Sequence, residues 1–224
     1  PLLRGFHHIS MAPAAFLQDP GRWIRAMSQF RATITMAPNF AYEACLSTTD
    51  DSADPIDLSS LRVAIIGGEM VRADTIDRFH ARFAQAGFRR ESFMPGYGLA
   101  EATLQLTLGR LNEAPGVLSI RSDRTCQVFS GEATAETVRL VSAGPLIDDH
   151  TIRIVNPETR LCVADGEIGE VWAQGPAVAR GYWDALLVDK ENFFQFNPLL
   201  PAVAVGAVET RHIVWPLRDM ARHQ

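Results

Sequence analysis

The chain has 224 residues, 47% hydrophobic and 8% aromatic, which is enough to bury the core of one large domain. A formal charge of -5 with no Lys/Arg cluster argues against a nucleic-acid partner. The longest apolar run, Leu199 to Val208, is broken by Pro201 and too short for a membrane span, so a soluble, cytoplasmic protein is expected.

Along the chain, His8 to Met11 reads as a short strand ending at Ala12-Pro13. Trp23, Met27 and Phe30 at helical spacing then predict a helix. Ala32 to Met36, rich in β-branched residues, predicts a strand stopped by Pro38-Asn39, and polar Ser47 to Pro55 predicts a surface loop. Arg62 to Ile66 is the clearest strand, apolar on both faces as in a buried parallel sheet, and it stops at Gly67-Gly68-Glu69. A helix is expected from about Asp74 to Ala86, with Ile76, Phe79, Phe83 and Ala84 on one face, Asp74 as its cap and Gly87 at its end. Ser92 to Met94 reads as a further strand, leading through Pro95-Gly96-Tyr97-Gly98 to a helix start at Leu99-Ala100-Glu101.

Gln105 to Ala135 is polar with weak periodicity. From Val138 onward, Thr151 to Val155, the turn Asn156-Pro157-Glu158-Thr159, and Ile168 to Trp172 read as antiparallel β-structure. The expected fold class is therefore α/β: a partial Rossmann-like parallel sheet with helices, followed by a small antiparallel β subdomain. The expected divisions are a central α/β subdomain over 1–140, the start of a β-barrel-like subdomain over 141–195, and a divergent tail over 196–224.

Parallel strands joined by crossover helices end on the same sheet edge. That places Gly67-Gly68-Glu69, Gly96-Tyr97-Gly98 and Ala37-Pro38-Asn39 together at the carboxyl edge, where open α/β sheets bind ligands. Gly67 and Gly68 would let backbone approach a flat ligand, although a tight turn alone would use the same pair. Tyr97 could cover a base, and Glu101 could hold a metal that bridges phosphates. Their structural alternatives are an aromatic at the core edge and a carboxylate favoured in the first turn of a helix. Gly166 to Val171 and Gly175 to Trp183 read as turns without chemistry of their own.

Several site types are missing from the sequence. No G-x-x-x-x-G-K-[ST] loop and no G-x-S-x-G elbow occurs. His7 and His8 have no partners at zinc spacing, so no metal centre is expected there. Cys45, Cys126 and Cys162 form no C-x-x-C pair, as in a reduced intracellular compartment. Twenty arginines stand against one lysine, Lys190, so a lysine-dependent step must use that residue or a lysine from outside the chain.

Four segments, taken in order, carry a resemblance: Ala37-Pro38-Asn39-Phe40-Ala41-Tyr42-Glu43, Ile66-Gly67-Gly68-Glu69, Tyr97-Gly98-Leu99-Ala100-Glu101-Ala102-Thr103, and Gly166 to Trp183. Over about residues 1 to 195 the chain resembles the adenylate-forming, acyl-activating superfamily, and within it the fatty acyl-AMP ligases. Gln105 to Val141 is similar to a stretch where that branch carries an insertion. The resemblance implies that Gly67, Gly68 and Glu69 line the adenine side of a pocket, with Tyr97 against the base. Gly98, Leu99 and Ala100 would face the α-phosphate, Glu101 would bind Mg2+, and Asn39 and Phe40 would lie near the acyl pocket. It implies ATP and Mg2+ as cofactors, a fatty acid as substrate, and an acyl carrier protein or a polyketide or nonribosomal synthetase carrier domain as partner. The family's phosphate-gripping loop, ribose-binding aspartate and C-terminal catalytic lysine are not found, and Ser142-Ala143-Gly144-Pro145 lacks the arginine often placed before that proline. The chain is thus expected to be an internal fragment, inactive alone. A non-catalytic binding module and an acyl-CoA ligase relative are the alternatives.

Overall fold

Short β-branched and aromatic runs build the centre of the molecule, seen in a computed structural model that describes residues 4–48, 55–121, 137–147, 149–179 and 194–195. Strands β1 (Ile34–Ala37), β2 (Val63–Ile66) and β3 (Phe93–Tyr97) are parallel, and β4 (Thr107–Leu108) lies antiparallel beside β3. Ala37 is level with Ile66, and Ile66 with Pro95, so the parallel strands finish on one edge. β3 runs two residues further, placing Gly96 and Tyr97 opposite Leu108 and Thr107.

Helices α1 (Pro13–Gln18), α2 (Gly21–Gln29), α3 (Asn39–Leu46) and α4 (Ala73–Phe83) supply most of the remaining core. Tyr42 of α3 sits at its middle, fully buried, with its ring edge-on to Trp23, Phe79 and Phe93 at 5.1–5.2 Å. Its hydroxyl donates to the Ile65 carbonyl at 3.0 Å, which satisfies the one polar atom that this burial takes from water. Phe79 continues the cluster to Phe83, Phe88 and Phe93. Each aromatic pair contributes about 0.5–1.5 kcal/mol beyond area burial.

The structure differs from the sequence reading in several places. Residues 8–11 form no strand, and the chain passes instead into α1. Pro38-Asn39 does stop β1, but by opening α3, an eight-residue helix too short to show a clear period. β2 buries Ala64 and Ile66 but only half-buries Val63 and Ile65, so its second face is not fully covered. Arg72, not Asp74, occupies the cap position of α4, and Asp74 accepts Arg139 instead. Pro95-Gly96-Tyr97 belongs to β3 rather than to the loop after it. The helix expected at Leu99 is a single 3-10 turn, Ala100–Ala102, so a helix-dipole account of Glu101 falls away.

The polar stretch after Ala102 holds β4 and then β5 (Val117–Arg121), which pairs antiparallel with β6 (Thr137–Val141). Residue 140 lies inside β6. Val141 packs on the main core, and Arg139 ties β6 to α4 through Asp74 at 2.9 Å and Asp77 at 2.8 Å. β7 (Thr151–Val155), β8 (Glu170–Gln174) and β9 (Phe194–Gln195) form the expected antiparallel sheet. The turn after β7 closes on Asn156, whose Oδ1 accepts the Glu158 and Thr159 amides at 2.9 and 3.0 Å. Leu99, Ala102 and Leu106 pack with Ala173 of β8 and half-buried Ile152 and Val178, joining the two sheets. Cys126, Lys190 and the tail over 196–224 lie outside the described residues. Among the described residues no helix is long and apolar enough to cross a membrane.

Candidate functional site at the carboxyl edge of the parallel sheet

Where β1 ends, Asn39 turns inward and is buried. Its Nδ2 donates to Thr75 Oγ1 at 3.2 Å and its Oδ1 accepts the Arg72 amide at 3.0 Å, so its side chain fixes the start of α3 to the start of α4. Thr75 in turn donates to Glu43 Oε2 at 3.0 Å. The next residue, Phe40, is 51% exposed, with its ring edge-on to Phe16 at 6.3 Å. Its amide donates to Glu69 Oε1 at 2.6 Å, a charge-assisted bond that ties the β2 turn to the first turn of α3.

Gly67 and Gly68 do different jobs in that turn. A Cβ on Gly67 would stand 2.5 Å from the Gly96 carbonyl oxygen, so the β2 and β3 termini touch only because Gly67 has none. Gly68 takes φ +77°, and nothing lies within 4 Å of where its Cβ would be. Backbone is therefore accessible at Gly68 and packed at Gly67.

Beyond β3, residues 97–106 close into a loop. The Tyr97 carbonyl accepts the Leu106 amide at 2.9 Å, and the Tyr97 amide donates to Thr107 Oγ1 at 3.2 Å. A Cβ on Gly98 would overlap the Leu104 carbonyl, so glycine is required where the chain doubles back. Leu99 is buried in the second apolar cluster and Ala100 is exposed. Glu101 is half-buried, and its carbonyl accepts the Ala179 amide at 2.7 Å. The Tyr97 hydroxyl is buried with no hydrogen-bond partner among the described residues. Burial, and second the charge of nearby Glu101, push its pKa up to about 12, so at neutral pH it is an un-ionised donor.

The fold thus gathers the predicted residues on one edge but gives them unequal freedom. Phe40, Gly68, Ala100 and the Tyr97 hydroxyl are accessible or unsatisfied, whereas the Asn39 and Leu99 side chains are committed to protein partners. No group of three His, Cys, Asp or Glu converges among the described residues, so a cation held by Glu101 would take its remaining ligands from a substrate or water, the usual pattern for Mg2+. Sequence reasoning missed Arg72, Thr75 and Thr107 and quoted Thr103 without a role; their partners lie up to 74 residues away along the chain. A single sequence carries no local signal for such pairs.

A family model described as AMP-binding enzyme matches residues 1–183, a span that contains every residue of this edge. The medium-chain-fatty-acid–[acyl-carrier-protein] ligase JamA of Moorena producens is 40% identical over 200 residues, covering 86% of this chain and 34% of JamA. The corresponding ligase TtuA of Teredinibacter turnerae is 39% identical over 186 residues, covering 82% of this chain and 29% of TtuA. A crystal structure of the L. pneumophila fatty acyl-adenylate ligase, in complex with acyl adenylate and pyrophosphate, superposes with a TM-score of 0.78 at 32% identity, over 86% of this chain and 36% of that one. The chain spans about a third of the length of these relatives. The chain therefore belongs to the AMP-binding enzymes, among relatives that are fatty acid ligases.

Proposed function

We propose that the chain carries the adenylate-binding portion of an ATP-dependent fatty acyl-AMP ligase, which joins a carboxylate to AMP with release of pyrophosphate. One observation carries this reading. The Gly67-Gly68-Glu69 turn and the closed loop from Tyr97 are pressed together at the carboxyl edge, and the buried Tyr97 hydroxyl has no hydrogen-bond partner among the described residues. A buried, unsatisfied donor costs about 1–3 kcal/mol, which a bound polar group would offset.

In this reading Gly67, Gly68 and Glu69 form one wall of the adenine pocket, and the Tyr97 ring lies against the base. The backbone of Gly98, Leu99 and Ala100 faces the α-phosphate, and Glu101 holds Mg2+. Asn39 acts by locking the α3 start, which fixes the Phe40 ring at the acyl pocket. Mg2+, when bound, neutralises phosphate charge. The chain's own contribution is to hold nucleotide and carboxylate in register, and positioning of that kind is worth about 7–11 kcal/mol of barrier.

The acyl group is destined for the phosphopantetheine arm of an acyl carrier protein or of a polyketide or nonribosomal carrier domain, in the cytoplasm. The nucleotide-facing unit extends over about residues 1–140, with β6 closing it, and the β-rich unit follows to about 195. The stretch from Gln105 to Val141, which holds β4, β5 and β6, corresponds to the part of the fatty acyl-AMP branch that carries an insertion.

Titration calorimetry with a non-hydrolysable acyl-AMP analogue tests the reading. Micromolar binding that weakens at least tenfold in Tyr97→Ala is expected. A cooperatively folded chain with no affinity for the analogue would contradict it.

A further inference from the structure

Thr103 stands in a conformation that its side chain disfavours. Its φ is 67° and its ψ -56°, and the Leu104 amide donates back to the Ala102 carbonyl at 2.7 Å. That is a γ-turn of the rare positive-φ kind, and a β-branched residue is poorly suited to it. Glycine would suit the backbone better, so the threonine side chain must offer something glycine lacks.

What it offers is a hydrogen bond across the fold. Thr103 Oγ1 donates to the Ala177 carbonyl at 3.0 Å. Two residues away on each side, the Ala179 amide donates to the Glu101 carbonyl at 2.7 Å. The 175–179 segment is itself closed by a bond from the Val178 amide to the Gly175 carbonyl at 3.1 Å. Beneath both segments, buried Ala102 and Leu99 pack with Ala173 and Val178. The Glu101 turn is therefore clamped to the 175–179 segment at residues 101 and 103, over a floor of apolar contacts.

We propose that Thr103 is a positioning residue: its hydroxyl holds the strained turn against the 175–179 segment and so fixes the direction in which Glu101 presents its carboxylate to a metal–nucleotide complex. The inference rests on the reading of Glu101 as the metal ligand. It assigns work to a residue outside the predicted site, and to a segment with no chemistry of its own.

The test measures binding of a non-hydrolysable ATP analogue to the whole chain with and without Mn2+, for the parent and for Thr103→Ser, Thr103→Gly, Thr103→Ala and Glu101→Gln. The parent and Thr103→Ser are expected to show Mn2+-dependent tightening, and Glu101→Gln to lose it. Thr103→Gly, relieved of strain, should melt no lower than Thr103→Ala yet lose about tenfold or more of the Mn2+-dependent affinity, with metal-free affinity unchanged. A folded Thr103→Gly or Thr103→Ala that keeps the parent's Mn2+ dependence overturns the proposal while leaving Glu101 in place. A parent without Mn2+ dependence, or a Glu101→Gln that retains it, removes the reading of Glu101 and the proposal with it. Failure of both Thr103→Gly and Thr103→Ala to fold would make the hydroxyl a structural tie and overturn it too.

Discussion

Tyr97 concentrates the opposing demands placed on single residues at this edge. Among the described residues its buried hydroxyl has no partner, which weakens the free chain but leaves a donor for a ligand. Tyr97→Phe is therefore expected to stabilise the free chain by up to about 1–3 kcal/mol in urea unfolding while weakening analogue binding. The same group gives a pH dependence. Its folded pKa of about 12 lies above the ordinary 10, so the folded state holds its proton more tightly than the unfolded state does. That contribution is fully present below pH 10 and is lost as pH rises toward 12. The alkaline decline measured by unfolding between those values should be shallower in Tyr97→Phe. Gly98 makes a stricter demand, because any Cβ there meets the Leu104 backbone. Gly98→Ala should cost about 1–3 kcal/mol and abolish analogue binding. At this scale the sequence showed the residues whose chemistry is visible in their type, such as Tyr97 and Glu101. Thr103 and Asn39 were opaque or half-read, because their roles come from partners brought near only by the fold.

Among the elements, the hairpin β5–β6 is held to α4 by charge as well as by Val141. Arg139 meets Asp74 and Asp77, and Arg90 also meets Asp77. Burial works to raise the Asp77 pKa, but hydrogen bonds from Arg90 and then Arg139 outweigh it and bring it below the usual carboxylate value. A lowered carboxylate pKa stabilises the fold above the unfolded value and stops doing so as pH falls through the folded one. Hydrogen-exchange protection factors in 117–121 should consequently fall once the pH drops below about 3.8, and in Arg139→Ala, while the global melting temperature moves little, since partly exposed ion pairs contribute only about 0–1 kcal/mol. Element type was legible where periodicity ran long enough, as in α4, or where alternation met a turn residue, as in β7 and Asn156. It failed for α3, whose eight residues complete barely two turns, and for Leu99, where the closed loop leaves room for one 3-10 turn.

For the molecule as a whole, the parallel sheet has one well-covered face and one bare flank. Ile34 and Met36 of β1 are 55% and 66% exposed, and β1 pairs with β2 alone among the described residues. Parallel sheets are ordinarily covered on both faces, and an open apolar edge strand recruits other chains. Light scattering of the isolated chain should rise with concentration, and Ile34→Lys with Met36→Lys should suppress the rise without loss of secondary structure. The carboxyl edge itself is legible in the sequence, because crossover geometry dictates it, whereas the uncovered flank depends on what packs in three dimensions.

Hydrogen exchange of the chain with and without the non-hydrolysable acyl-AMP analogue is the most direct measurement of the central claim. Slowed exchange centred on 66–70 and 97–103, extending to the start of α3 at 39–41 and absent in Tyr97→Ala, is the expected result. Protection centred elsewhere, or saturable binding that leaves both turns unprotected, would contradict an adenylate site at this edge.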